Sequence, residues 1–176
     1  NISIIGTGNV ALELCKLFLK NNYIIDGIYG RNRISDTLIN NELYIENYEN
    51  ISSKSDLYVV AVRDDSYPEI LSKIKLKNAF IVHTSGSLES SSLKSTTKRW
   101  GCLYPLQTIK KNSLIEWNNV PFFVEAANKE DLLLLTNFCS KNNLSYSIKN
   151  SSERNKMHIA AVAANNFTYF LLSEVK

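Results

Sequence analysis

Two glycines lie two positions apart in the stretch SIIGTGNVALEL, residues 3–14. A short apolar run predicts a strand, and a helical pattern follows Gly6 and Gly8, with Ala11 as a small third residue. Gly6 would make a tight turn, and Gly8 would let a pyrophosphate approach the N-terminus of the helix, where free N–H groups and the helix dipole favour an anion. A turn that binds no ligand is the alternative. The predicted dinucleotide cradle consists of Gly6, Thr7, Gly8, Asn9 and Val10.

The end of the second predicted strand indicates which dinucleotide would fit. Enzymes that use NAD place a carboxylate there, against the ribose 2′-hydroxyl. Here Gly30 occupies that position, and Arg31, Asn32 and Arg33 follow it. A guanidinium suits a 2′-phosphate, which a carboxylate would repel. Asp26 competes for the role but lies several residues before the strand end, so the sequence predicts NADP rather than NAD. For the two arginines, a solvated turn remains the alternative.

Strand patterns and helix patterns alternate along the first 150 residues. Short apolar runs over 2–5, 23–30, 57–62, 79–83, 101–104, 121–126 and 144–148 predict strands. Segments over 10–20, near 34–40, after Pro68 and over 129–142 predict helices. Such alternation is typical of a doubly wound, mostly parallel α/β sheet. From about residue 151 the pattern becomes one long helix, with Ser151 or Ser152 as its cap. We expect a dinucleotide-binding domain over 1–150 and, over 151–176, the start of a helical domain that continues beyond this sequence.

Ligands of open parallel sheets bind beyond the carboxyl ends of the strands. After the run 57–62 come Val62, Arg63 and Asp64, which we expect along the adenosine-to-nicotinamide stretch of a cofactor. N-capping of the next helix is the alternative for Asp64 and Asp65.

The segment HTSGS, residues 83–87, leaves the next predicted strand. Its hydroxyl groups and backbone N–H groups would suit an oxyanion or carboxylate, with Thr84 toward the cofactor and Ser85 toward the reaction. A turn that merely leaves a strand would look similar. Residues 104–108, after the following strand, would form a wall of the pocket.

One of the two histidines lies in the long C-terminal helix. At 100° per residue, one stripe of that helix carries Arg154, His158, Ala161, Asn165 and Tyr169. A polar stripe at the start of a second domain should face the cleft between the domains. There His158 could exchange the proton that accompanies hydride transfer, and Asn165 could orient a substrate. Alternatively, His158 bonds a carbonyl across the boundary and only holds the two halves together.

The opposite side of the same helix is apolar. It carries Ala160, Ala163, Ala164, Phe167 and Leu171. This surface is larger than one edge contact would bury, so we expect a homodimer built through residues 151–176.

Composition excludes several classes of function. A net charge of +3 without a basic run argues against nucleic acid as a partner. The three cysteines are far apart and form no C-x-x-C pair, which indicates a reducing compartment and no metal site. With no signal peptide or membrane span in the sequence, we expect a cytoplasmic protein with no membrane partner.

Five segments in order, GTGNVA, AVRDDS, HTSGS, GCLYPLQT and RNKMHIAAVAANNFTYFL, resemble a family of bacterial two-domain proteins. Its members carry a Rossmann-like domain followed by a helical domain of unknown function, and many are described as candidate NADP oxidoreductases. The family is similar to pyrroline-5-carboxylate reductase, to 6-phosphogluconate and β-hydroxyacid dehydrogenases, and to deazaflavin-dependent NADP reductases. The resemblance implies a longer helical domain than residues 151–176, and dimerisation through it.

These observations predict an NADP-dependent oxidoreductase whose small-molecule substrate is unknown. Three alternatives stay open: a non-catalytic dinucleotide sensor, a hydride carrier between NADP and a deazaflavin, and an interaction module with a vestigial cradle.

Overall fold

The computed structural model describes residues 1–32, 38–111 and 113–174. Its centre is one eight-stranded sheet with the strand order β3-β2-β1-β4-β5-β6-β7-β8. The strands are β1 Ile2–Ile5, β2 Ile25–Tyr29, β3 Tyr44–Ile45, β4 Leu57–Val60, β5 Phe80–His83, β6 Arg99–Pro105, β7 Phe122–Ala126 and β8 Tyr146–Ile148. The helices are α1 Asn9–Lys20, α2 Tyr67–Lys73, α3 Lys129–Lys141 and α4 Ser151–Glu174. The predicted doubly wound, mostly parallel Rossmann-like fold is confirmed.

The central strands are buried on both faces, which explains their near-continuous apolar sequences. In β1 the alternation of side chains sends Ile4 to the core beneath α1 and Ile5 to the core on the other face. In β5, Val82 joins the first core and Ile81 the second. The two cores hold the sheet between layers of helix and turn, and they fix the strand ends from which the candidate site residues project.

The pair β6 and β7 departs from the parallel pattern. These two strands are antiparallel, with Leu103 opposite Val124. In its described part, the segment 106–121 forms a short 3₁₀ turn at Trp117–Asn119 and no α-helix. Antiparallel pairing follows, because a parallel return needs a crossover, usually helical, to the other end of the sheet. Helix α3 supplies such a crossover to β8, which pairs with β7 in parallel.

Two predicted local features differ from the structure or fall outside it. The predicted helical stretch near 34–40 lies mostly in residues 33–37, outside the described ranges, and the chain then makes a 3₁₀ turn at Asn41–Leu43. The cap of α4 is Asn150, so the prediction of Ser151 or Ser152 was wrong. The Asn150 side chain accepts a hydrogen bond from the Glu153 N–H at 2.9 Å. The Glu153 carboxylate in turn accepts one from the Asn150 N–H at 3.0 Å. Such a reciprocal pair satisfies two otherwise unpaired donors.

Helix α4 contacts the sheet through its first turns only. Ser151 and Arg154 are buried and His158 is partly buried, whereas nearly all later described side chains are exposed. The large exposed apolar residues are Met157, Ile159, Val162, Phe167, Phe170 and Leu171. The helix begins where the domain boundary was predicted, and the division into two domains there stays a prediction. No helix in the described ranges has both the length and the apolar character that crossing a membrane requires.

Candidate functional site

A cavity of about 590 Å³ lies at the carboxyl ends of β1, β4 and β5. Among its lining residues are most of those that the sequence singled out: Gly6, Thr7, Gly8, Asn9, Val10, Arg31, Asn32, Val62, Arg63, Asp64, Thr84, Ser85 and His158. Arg33 lies outside the described residues. Asn165 is exposed and does not line the cavity, so its role in orienting a substrate stays a prediction.

The turn between β1 and α1 has the form that a pyrophosphate needs. Gly6 has a φ of +130°, and a Cβ there would lie 2.1 Å from the Ala61 carbonyl oxygen, so only glycine fits. Gly8 is the N-cap of α1 and makes no side-chain capping bond, and no atom lies within 4 Å of the position a Cβ would take. Open space therefore adjoins Gly8 at the positive end of a 12-residue helix. The cradle fits a bound anion.

The end of β2 borders the same cavity. A Cβ at Gly30 would lie 2.4 Å from Cγ2 of Thr7, so close packing excludes a carboxylate side chain at this position. Arg31 and Asn32 follow, and both are exposed at the rim. Asp26 lies near the start of β2, where its carboxylate accepts a hydrogen bond from the Ser55 hydroxyl. It does not line the cavity, in agreement with the expectation that it stops short of the ribose.

Tyr48 is a lining residue that the sequence did not indicate. Its side chain is buried, and burial raises its pKa, although the Arg31 charge acts in the opposite direction. Its phenol ring therefore forms an apolar part of the cavity near Arg31. The segment that carries it is a 3₁₀ turn without a hydrophobic period, so no sequence signal marks it.

The segment after β4 joins the segment after β5. The Asp64 carboxylate accepts a hydrogen bond from the Ser87 hydroxyl, which connects the two loops at the cavity. Arg63 is exposed and pairs with Asp65 at 2.9 Å. The following 3₁₀ turn has Arg63 at its N-cap position and no side-chain capping bond. Asp64 thus connects two loops. The geometry does not favour the alternative in which its carboxylate caps the next helix.

Most hydrogen-bond donors of the 83–87 loop are used within the protein. The Thr84 N–H donates to the Val60 carbonyl at 3.2 Å, and the Ser85 N–H to Nδ1 of His83 at 3.2 Å. Oγ of Ser85 accepts the N–H of Ser87 at 3.2 Å and that of Leu88 at 3.0 Å. The loop is therefore rigid, and it offers an oxyanion fewer backbone donors than its sequence predicts.

The two histidines have different surroundings. His83 is buried, its ring packs edge-on against Tyr67, and Nε2 lies 2.9 Å from Oγ of Ser90. Because Nδ1 accepts from Ser85, Nε2 must carry the proton in the neutral ring. His83 does not line the cavity, whereas His158 does.

The imidazole of His83 should stay neutral in the folded protein well below pH 5. Burial lowers its pKa from 6.5 to about 3, and the Arg154 charge acts in the same direction. Between these pH values the unfolded chain binds a proton that the folded chain does not, so the free energy of unfolding should fall as the pH is lowered from 7 to 5. Urea unfolding at both pH values measures this fall, and NMR titration of the two imidazoles checks its cause. A His83 signal that titrates between pH 5 and 7 would contradict the assignment.

His158 projects from α4 onto the 83–87 loop. A Cβ at Gly86 would lie 2.5 Å from Cγ and Nδ1 of the His158 ring, so the close contact requires glycine. Nδ1 lies 2.8 Å from the Tyr104 hydroxyl, and both side chains line the cavity. The hydrogen-bond partner of His158 is thus a side chain in the cavity. The alternative interpretation had expected a carbonyl as the partner.

Arg154, one turn before His158, is fully buried and does not line the cavity. Its guanidinium donates to the Glu125 carboxylate at 2.6 Å, and the same oxygen accepts from the hydroxyls of Ser90 at 2.6 Å and Ser151 at 2.8 Å. Burial alone would raise the pKa of Glu125, but these hydrogen bonds outweigh it and lower that pKa. The predicted polar stripe therefore divides: Arg154 anchors α4, and His158 is the one member among the described side chains that reaches the cavity.

Within the described residues, no group of histidine, cysteine, aspartate and glutamate side chains could hold a metal ion.

Comparisons with known proteins agree with this fold. Residues 120–176 match the model of a family described as a domain of unknown function, DUF2520. No curated protein matches the chain. The crystal structure of BF3122 from Bacteroides fragilis, a candidate NADP oxidoreductase, is 28% identical and matches with a TM-score of 0.86 over 98% of this chain and 69% of its own.

Two more distant structures show the fold alone. Protein TM1727 from Thermotoga maritima is 21% identical, with a TM-score of 0.73 over 97% of this chain and 66% of its own. The pyrroline carboxylate reductase of Plasmodium falciparum, crystallised with NADP, is 16% identical, with a TM-score of 0.74 over 99% of this chain and 66% of its own. This chain thus spans 66–69% of the length of these three proteins. Its fold is that of nicotinamide-dinucleotide oxidoreductases.

Proposed function

We propose that this chain binds NADP and belongs to an oxidoreductase that transfers a hydride to or from a small substrate at the cavity. The observation that carries the proposal is the uncapped N-terminus of α1 behind the turn Gly6–Gly8, open to the cavity beside Arg31. The 28% identity to a candidate NADP oxidoreductase supports it.

Each part of the cavity would hold one part of the cofactor. The cradle residues 6–10 would bind the pyrophosphate through backbone N–H groups, and Arg31 and Asn32 would bind the 2′-phosphate. Residues 62–64 and Thr84 would line the path toward the nicotinamide. Since β2 receives the adenosine end, the opposite end lies over β4 and β5, near Ser85 and His158.

The cofactor would supply a hydride, and this chain would supply the proton and the orientation. His158 is the imidazole at this end of the cavity and is suited to exchange that proton. The Ser85 hydroxyl proton points either to Oγ of Ser87, 3.4 Å away, or into the cavity, where it could bond a substrate oxygen. A non-catalytic sensor or a hydride carrier to a deazaflavin would need neither group, so undiminished turnover after the loss of either group would favour these alternatives.

Arg31→Ala should remove most of the preference for NADPH over NADH. We expect the wild type to bind NADPH at least about tenfold more tightly than NADH, a difference of roughly 1.4 kcal/mol. A guanidinium at the rim can pair with the 2′-phosphate, which NADH lacks. Calorimetry with both nucleotides measures the change. Lys129→Ala, which removes an exposed positive charge from the start of α3, is the control and should keep the preference. Equal affinities in the wild type would contradict the assignment of NADP.

We also propose that two copies of the chain associate through α4. The residues of the predicted apolar side, Ala160, Ala163, Ala164, Phe167 and Leu171, are all exposed. Contiguous apolar surface of this kind is typical of protein interfaces. Light scattering at micromolar concentration should give twice the 20.0 kDa of one chain. Phe167→Asp should give the mass of one chain, because a charge would then lie in the interface. A monomeric wild type would refute the proposal.

A further inference from the structure

Two side chains meet at the end of the cavity where the nicotinamide would lie. The proton exchange proposed above involves only one of them, His158. The hydroxyl of Tyr104, on β6, lies 2.8 Å from Nδ1 of His158, on α4. The two rings meet edge to face, with centroids 5.7 Å apart and planes at 80°. Both side chains line the cavity.

This contact is held from both sides. Behind Tyr104 the ring of Phe123, on the neighbouring strand β7, lies 6.2 Å away at a tilt of 49°. Beneath His158 the absent side chain of Gly86 leaves only enough room for the imidazole. The buried pair of Arg154 and Glu125 fixes the preceding turn of α4. A fixed donor–acceptor geometry of this kind is what proton transfer requires.

The surroundings of the pair, burial above all, favour a neutral Tyr104 phenol. Burial raises the pKa of Tyr104 to about 12, and Cys102 and Asp64 act in the same direction while Arg154 acts in the opposite one. The Tyr104 hydroxyl therefore keeps its proton at physiological pH. Within the described residues, Nε2 of His158 has no hydrogen-bond partner. In the imidazolium Nε2 keeps a proton of its own, and the proton that faces Tyr104 is the one on Nδ1.

We propose that Tyr104 and His158 form a proton relay, with Tyr104 as the group that touches the substrate, and that the substrate is an aldehyde or ketone interconverted with its alcohol. This inference rests on the proposed function, because a reduced nicotinamide must supply the two electrons.

In the direction of reduction, each bond that forms is matched by a bond that breaks. The hydride forms a C–H bond at the carbonyl carbon, and the carbonyl π pair moves to oxygen. The O–H bond of Tyr104 breaks as its proton bonds that oxygen. The Nδ1–H bond of the His158 imidazolium breaks as its proton restores the phenol. Neutral His158 keeps its proton on Nε2, and Nδ1 takes one proton from water that enters the cavity as the alcohol leaves, so one carbonyl group, one hydride and one proton give one alcohol.

The relay distinguishes carbonyl from imine reduction. An alkoxide that develops on oxygen needs a proton as the hydride arrives, and a neutral phenol can donate it. A protonated imine already carries its proton and becomes an amine without receiving another. Tyr104 and His158 are therefore useful to a carbonyl substrate and dispensable for an imine.

The test uses two probes of similar size, 4-nitrobenzaldehyde and 3,4-dihydroisoquinoline, with NADPH as the reductant. Tyr104→Phe should slow reduction of the aldehyde by roughly 10²-fold, the usual scale for a lost acid. NADPH affinity should stay within about twofold of the wild type, since the phenol contacts no phosphate. Residual imine reduction should be the same in both proteins. Tyr146→Phe, which removes an exposed hydroxyl on β8, is the matched control and should change nothing.

A second test combines a pH profile with NMR of the His158 ring. The chain has two histidines, so ¹⁵N NMR resolves His158 from the buried His83. In the wild type, aldehyde reduction should fall as the pH is raised, because the relay uses the Nδ1 proton of the His158 imidazolium. His158→Gln should abolish that fall in the pH profile. Tyr104→Phe should shift the His158 tautomer signal, because Nδ1 loses its partner.

The outcomes separate the two proposals. A wild type that does not bind NADPH would overturn the proposed function. NADPH binding together with unchanged aldehyde reduction by Tyr104→Phe, or a pH profile that His158→Gln leaves unchanged, would overturn the relay alone. NADPH binding with imine reduction and no aldehyde reduction would overturn the carbonyl assignment.

Discussion

Gly8→Val should abolish dinucleotide binding and leave the chain folded. The position of a Cβ at Gly8 has no atom within 4 Å, and the backbone there, with φ −80° and ψ 177°, suits any residue. The isopropyl group would therefore clash with nothing in the protein. It would instead fill the space in front of the first N–H groups of α1, where we place the pyrophosphate. We expect NADPH affinity to fall at least about 100-fold, which is roughly 2.7 kcal/mol.

The neighbouring glycine provides the contrast. At Gly6 a Cβ would lie 2.1 Å from the Ala61 carbonyl oxygen, and φ is +130°. Gly6→Ala should therefore reduce the melting temperature, whereas Gly8→Val should leave it unchanged. Calorimetry with NADPH and thermal unfolding of both variants measure the two effects separately. A folded Gly8→Val variant with unchanged NADPH affinity would place the cofactor elsewhere.

The cavity was largely predictable because its residues follow strand ends. Glycine spacing identifies the turn after β1, and the rule that parallel strands end at one edge brings residues 62–64 and 83–85 to the same place. Neither step requires knowledge of long-range packing. The sequence therefore predicts the architecture of this site better than it predicts the role of any single side chain.

The separation of the two histidines depends on packing that the sequence shows only in part. His83 shares a strand face with Ile81, two residues before it, and that face packs against Tyr67 and Leu93. Period-two alternation applied to β5 would have placed the imidazole in the core. His158 reaches the cavity only because α4 starts close to the 83–87 loop, which no local pattern reveals.

The anchor of α4 could not be predicted. Glu125 lies on β7, and its position beside Arg154 depends on the antiparallel pairing of β7 with β6. The helical stripe placed Arg154, His158 and Asn165 on one face, but a helical wheel does not show which turns of a helix contact the domain and which leave it. Tyr104 was expected only as a wall residue, since its hydrogen bond spans 54 positions of sequence.

Glu125→Leu should reduce the free energy of unfolding by about 3–5 kcal/mol, the usual result of removing one partner of a buried ion pair. Arg154 is 0% exposed, and its Nε already has no hydrogen-bond partner among the described residues. Without the carboxylate, the guanidinium charge and the hydroxyls of Ser90 and Ser151 would lose their common acceptor. Urea unfolding measures the loss. Glu116→Leu, at an exposed glutamate before β7, is the matched control and should stay within about 0.5 kcal/mol of the wild type.

The double variant Glu125→Leu/Arg154→Met separates charge from packing. If the uncompensated guanidinium causes the loss, removing it should restore much of the stability, because apolar side chains of similar volume tolerate burial without a partner. A double variant no more stable than Glu125→Leu would show that the lost hydrogen bonds dominate. Either way, the first turn of α4 sets the position of His158, so the single variant should also weaken the contact with Tyr104. NMR of the His158 ring would detect this in the folded fraction, while NADPH binding at the cradle, which α4 does not form, should persist.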